Sequence, residues 1–362
     1  MFILAAISVL AVLIVVHELG HFLAARLQGI HVNRFSIGFG PILWKYQGEA
    51  TEYAIRALPL GGFVGFPDDD PDSDIPENDP DLLQNRPILD RVIVVSAGVV
   101  ANLIFAYLIF VLQFGAFGLQ EASEPGVRIS QLVSDVNAAA AQAGIQAGDV
   151  ILSADGRTFD RSLQSIDHLR EIIEAHPSQP ILLDVQRGDE TLNLTVIPQP
   201  DASGVGKIGV GLSNNGDLVF RRTRNVFETM GLAAEEFQSI LVATVQGFVN
   251  LVTNFNQLAG QVAGPVKIVE QGAKLANNNL LNLFPFTAII SINLAIINIL
   301  PLPALDGGQL AFLLIEGIRG KPLPARIQEN VMQTGLVLLL GLGVFIIVRD
   351  TTQLEIFQDL LQ

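Results

Sequence analysis

His17, Glu18 and His21 stand in the run Val15-Val16-His17-Glu18-Leu19-Gly20-His21. Side chains four apart share one face of a helix, so both imidazoles can address a single metal ion while Glu18 handles a proton beside them. That is the chemistry of metal-assisted hydrolysis. A catalytic zinc ordinarily takes three protein ligands and keeps a fourth position for water or substrate, so a third donor must come from elsewhere. The strongest candidate is Asp306, the only carboxylate in an otherwise apolar stretch from Phe286 to Ile315. A competing arrangement would take a downstream glutamate, such as Glu316. The chain has no cysteine, which excludes thiolate ligands and disulfides.

The pair of histidines lies in an apolar run that is free of charge from Phe2 to Val16. Ionisable groups at the centre of a membrane helix cost roughly 2.5–3.5 kcal/mol each and are seldom kept there without a task. Composition agrees with a membrane setting. Only 16% of the 362 residues are charged, 50% are hydrophobic, and the mean hydropathy is +0.45. Soluble domains carry about 25% charged residues. The net charge of −15 argues against nucleic acid as a partner.

The elements that must position these groups follow from hydropathy. Residues 2–27, 92–119, 286–315 and 331–348 are expected to span the bilayer, the last near the lower length limit. The first has no basic leader and no cleavage site, so it reads as a retained span. Between the first two, residues 29–66 alternate apolar and polar positions as small β-strands do. The acidic, proline-broken run 68–81 reads as a solvated loop. Residues 121–200 form a soluble module, and 201–285 a connector holding an amphipathic helix over 226–258. The expected fold is an α-helical polytopic membrane protein with a β-rich membrane-associated loop and an inserted α+β domain.

Depth decides whether the connector helix crosses. His17 lies about 15 residues into its span and Asp306 about 20 into its own, or ~23 Å and ~30 Å at the helical rise. Both sit towards the C-terminal ends, so the first and third spans must run the same way. One antiparallel span between them achieves this, and a crossing over 226–258 would undo it. That segment is therefore expected to lie at the interface. Arg26, Arg34, Lys45, Arg56, Arg86 and Arg91 mark the first loop as cytosolic, with Arg319, Lys321 and Arg326 marking the last. The soluble module then lies on the extracytoplasmic side. Pro301 and Pro303 remove backbone donors near Asp306, so the chain there should unwind locally along a cavity.

Two resemblances sharpen this reading. Ala143 to Phe159, AGIQAGDVILSADGRTF, resembles the PDZ domains of bacterial proteases, which implies capture of extended peptides or chain ends. Gly126 and Val127 would border that groove, while His168 and His176 read as surface or packing residues. HELGH, SAGVVAN (Ser96 to Asn102) and NLAIINILPLPALDGG (Asn293 to Gly308) resemble the site-2 protease family, in particular its regulator-of-sigma-E protease branch. RFSIGFGP, EYAIRALPLGGFV and AGPVKI extend the likeness over nearly the whole chain.

The resemblance implies an intramembrane zinc protease that cuts single-span substrates, such as anti-sigma factors or remnant signal peptides, within a lipid bilayer. Its membrane would be the bacterial inner membrane or that of a plastid. By matching position, His17, His21 and Asp306 would bind Zn2+, Glu18 would be the base, and Asn293, Asn298, Pro301 and Pro303 would lie near substrate. The chain departs from the family in Gly98-Val99, where Gly-Pro is usual, and in having one PDZ module where near relatives carry two. The alternative from another class is a membrane-anchored PDZ scaffold with a structural zinc site.

Overall fold

A computed structural model of the protein describes residues 1–70, 73–132, 139–201, 204–255 and 263–352. The apolar N-terminal run forms α1, Phe2–Leu27. Its 26 residues extend about 39 Å, enough to cross a hydrocarbon core of about 30 Å. Two bent strands follow, β1 (Arg34–Gln47) and β2 (Glu52–Gly65), then α2 (Ile88–Phe117). The soluble module holds β3 (Leu119–Ala122), β4 (Val127–Leu132), α3 (Ala139–Gln142), β5 (Val150–Ala154) and β6 (Arg157–Thr158). It continues with α4 (Gln164–Ala175), β7 (Ile181–Arg187), β8 (Glu190–Val196) and two short strands, β9 (Gln199–Pro200) and β10 (Gly206–Lys207). It ends with β11 (Val210–Asn214) and β12 (Leu218–Arg221). The last part is helical: α5 (Val226–Thr253), α6 (Pro265–Asn278), α7 (Leu283–Ile299), α8 (Asp306–Arg319) and α9 (Ala325–Thr352).

The chain divides into two compact units, one of Met1–Gln113 with Thr229–Gln362, the other Phe114–Glu228. In the first, among the described residues, α1, α2, the stretch Leu280–Ile299 and Arg326–Thr352 are the four helices long and apolar enough to cross a membrane. α5 is not among them. Its 28 residues carry Glu228, Glu235 and Glu236 in the first turns and apolar residues after. The expected third span, 286–315, is divided. α7 stops at Ile299, because Pro301 and Pro303 can neither donate to a helical ladder nor clear the preceding carbonyls. Asp306 is then the first residue of α8, so its depth is not that of a residue 20 positions into one continuous helix. The helix α6 was not foreseen from the sequence.

β1 and β2 each bend once, and together give four short segments. Arg34–Ile37 runs parallel to Glu52–Ile55 on one side and antiparallel to Gly62–Gly65 on the other. Residues Ile42–Gln47 pair antiparallel with Glu52–Arg56. The strand Gly62–Gly65 is therefore an outer one. The acidic run is tied down more than a solvated loop would be: Asp70 pairs with Arg34 at 2.8 Å, and Asp68 accepts from Leu83 and Gln84.

The second unit is built on a sheet ordered β11-β4-β5-β7-β8, with β6 beside β5. Strict alternation along β7 buries Ile181, Leu183 and Val185, which meet Leu169 and Ile173 from α4. Val210–Asn214, beyond residue 200, completes this sheet by pairing with β4.

Candidate metal centre

α1 continues unbroken through His17, Glu18 and His21, so the two imidazoles project from one face. Their Nε2 atoms lie 3.3 Å apart. Asp306 Oδ2 stands 3.2 Å from His17 Nε2 and 3.4 Å from His21 Nε2. The three donors form a nearly equilateral triangle. Tetrahedral zinc with bonds of about 2.0–2.1 Å separates its ligand atoms by about 3.3–3.4 Å, so the triangle has the size of one face of that tetrahedron. Asp306 Oδ2 is also a buried oxygen without a hydrogen-bond partner, and His17 is only 8% exposed. Three atoms able to offer lone pairs to a metal crowd together here. The residues present fit a divalent cation.

Asp306 reaches this place because the chain breaks ahead of it. Ala304 adopts φ +67°, a left-handed conformation costly for a residue with a Cβ, and its N–H points to Met332 Sδ of α9 at 3.3 Å. Gly307 and Gly308 close the turn: a Cβ on Gly307 would collide with the carbonyls of Ile299 and Leu300, and one on Gly308 with that of Leu302. Glu316, the competing ligand, is ten residues further along α8, or about 15 Å, and is paired with Arg91.

α2 supplies the wall opposite. His21 Nδ1 lies 2.8 Å from the carbonyl of Val94, and His17 Nδ1 lies 3.3 Å from Asn102 Nδ2. Between them, a Cβ on Gly98 would come within 2.7 Å of both His17 Cε1 and His21 Cε1. Sequence reasoning noted the SAGVVAN motif without giving Val94, Gly98 or Asn102 a task. The signal was there: asparagine is costly in an otherwise apolar span.

Glu18 faces the outer strand. A Cβ on Gly62 would touch the Glu18 Cγ at 2.8 Å. Gly65 C=O accepts from Asn33, so the backbone groups of Gly62 and Val64, in alternation, point away from β1 and towards Glu18. Asn298 Nδ2 lies 3.2 Å from His17 Nε2. Asn293, five residues earlier on α7, is turned about 140° from it and is half-buried. Pro301 is exposed, while Pro303 lines an apolar cavity of about 400 Å³ with Leu302, Asn330, Thr334 and Leu338.

In the soluble unit, Val127 lies on β4, an interior strand, with its side chain in the core. It has no free backbone edge for a peptide, and the Gly126 N–H is engaged by Asp160 C=O at 3.3 Å. Among the described residues, the sheet edge near α4 belongs to β11. His168 is half-buried on α4, and His176 Nδ1 bonds the carbonyl of Ile172 at 2.8 Å.

A membrane-length helix that carries two imidazoles and an adjacent carboxylate, met by a third metal donor from the start of a shorter helix, has the arrangement of an intramembrane metalloprotease. The sequence profile described as Peptidase family M50 matches residues 5–342, and the chain belongs to that family. A Nostoc sp. protein named as a zinc metalloprotease is 66% identical over 98% of this chain and 97% of its own length. Membrane metalloprotease ARASP, chloroplastic, of Arabidopsis thaliana is 47% identical over 99% of this chain and 80% of its own. Protease RseP of Yersinia pestis is 29% identical over 94% and 97%. Among solved structures, a PDZ domain of Listeria monocytogenes covers 24% of this chain and 86% of its own, at 25% identity and a TM-score of 0.21. The protein is an integral membrane zinc metalloprotease.

Proposed function

We propose that His17, His21 and Asp306 hold the zinc, that Glu18 is the proton carrier, and that the scissile bond belongs to a single-span segment of a membrane substrate. The observation that carries this reading is the donor triangle of 3.2, 3.3 and 3.4 Å set among membrane-length helices. Zinc held there supplies Lewis acidity, which makes water nucleophilic at neutral pH and polarises a carbonyl. Glu18 removes the proton from the attacking water and delivers it to the leaving nitrogen. Asn298 lies on the rim of the triangle, where its amide N–H can meet negative charge gathering on the attacked carbonyl oxygen.

A helical substrate has every peptide group bonded internally, and each group left unpaired in lipid costs several kcal/mol. The outward backbone groups of the strand Gly62–Gly65 offer replacements beside Glu18, so the unwound segment adds there as a further strand. Peptides or chain ends dock on the soluble unit by the same physics, along the free edge of β11. Basic flanks support an extracytoplasmic side for that unit, in a bacterial inner membrane or that of a plastid. The chain lacks cysteine, so single cysteines at the exposed positions Asp189 and Asp74 report sidedness directly. An impermeant maleimide should label only the first in intact cells, and labelling of only the second reverses the orientation.

Glu18→Gln tests the chemistry. The purified variant should keep one zinc per chain and cut a single-span reporter about 10²–10⁴-fold more slowly. Undiminished cleavage would remove Glu18 from the mechanism.

A further inference from the structure

Both metal-facing histidines are gripped from behind by the same helix. Val94, Gly98 and Asn102 recur every four residues on α2, so all three share the face turned towards α1. Val94 C=O receives the Nδ1–H of His21 at 2.8 Å, which leaves the Nε2 lone pair of that ring free for a metal. His17 needs the same arrangement, since its Nε2 also faces Asp306 Oδ2. Its Nδ1 must then carry the proton and find an acceptor.

Asn102 is the group in place. It is fully buried, its amide lies 3.3 Å from His17 Nδ1, and its Oδ1 has no hydrogen-bond partner. With Nδ2 towards the ring, the amide would donate to Nδ1 and force the proton onto Nε2, where it would block the metal. A half-turn of the amide places Oδ1 at Nδ1 instead. Either orientation leaves one end of the amide without a partner, so hydrogen-bond counting does not choose between them. The metal does. The node is also braced: Asn102 C=O accepts from Ser291 Oγ of α7 at 2.8 Å, and Ser291 is itself fully buried.

We infer that Asn102 is a positioning residue that holds His17 in the tautomer with Nδ1 protonated, doing through a side chain what the Val94 carbonyl does for His21. This rests on the ligand set proposed above. The acceptor matters, not the volume. Outer partners of this kind change metal affinity by about 10–100-fold when removed.

Zinc affinity by competition with a chelator, in lipid nanodiscs, tests this without reference to proteolysis. Asn102→Ala should bind zinc about 10–100-fold more weakly than the parent. Asn102→Asp, which keeps an acceptor oxygen, should stay within about threefold, as in the carboxylate–histidine–zinc arrangement. His17→Ala serves as the reference and should lose the metal. If Asn102→Ala binds as the parent does while His17→Ala does not, the role of Asn102 is refuted and the ligand set stands. If both Asn102 variants weaken alike, the acceptor oxygen is not what supports the metal, and the inference fails. If His17→Ala keeps its zinc, the ligand set falls and takes this inference with it. Should Asn102→Ala not fold, Asn102→Asp decides alone: a tenfold or greater loss overturns the assignment.

Discussion

Asp149 and Asp306 are both withdrawn from solvent, with side-chain exposures of 1% and 14%, yet their surroundings are opposite. In the soluble unit, Arg187 grips Asp149 with two bonds of 2.8 Å, and the Gln146 N–H adds a third at 2.8 Å. Every oxygen is matched by an internal donor, and the guanidinium holds the Asp149 carboxyl below its usual range. In the membrane unit, Asp306 Oδ2 faces two imidazole nitrogens, and no donor satisfies it. The first carboxylate is finished by the fold. The second lacks such a match among the described residues, which is the place the proposed zinc would take.

The contrast breaks if the two residues can exchange consequences. The largest effect is expected at Asp306: Asp306→Ala should lose zinc during purification and fall to background proteolysis, as metal analysis and a single-span reporter would show. Retained zinc would mean that Asp306 is as self-sufficient as Asp149. A smaller effect is expected from Asp149→Ala, which should keep full zinc occupancy but loosen the soluble unit, read as faster hydrogen exchange over β5 and β7. Loss of zinc there would erase the distinction. The smallest effect is the pH dependence. A lowered folded pKa contributes stability above the unfolded value of about 3.9 and loses it as pH falls through the folded one. The exchange difference between parent and Asp149→Ala should therefore be complete at pH 7 and fade below about pH 4. A difference that grew on acidification would overturn the Arg187 account.

Much of the catalytic half was legible because its signals are local or costly. His17, Glu18 and His21 depend only on helical spacing, and Asp306 stood out as a lone carboxylate among apolar residues. The strands of the first loop showed in their alternation, but the bends that make four segments from two depend on pairings between distant residues. The edge of β11 was hidden for the same reason: its partner β4 lies about eighty residues earlier, and no local pattern joins them. Gly126 and Val127 were plausible as turn and strand, yet only the sheet order shows that Val127 is enclosed. The Val94 carbonyl could not have been read at all, since every residue but the last offers one. Asn102 could have been, by the cost argument already applied to Asp306.

Glu18 lies against the strand Gly62–Gly65. If Glu18 is the proton carrier proposed above, it lies beside the same ribbon that would receive the unravelled chain, so an intact helix sliding past would find no place on the ribbon next to the base. Selectivity then rests less on side-chain pockets than on how readily a target frays. Glycine- or proline-bearing segments should be cut, while uniformly leucine-rich ones should pass unharmed.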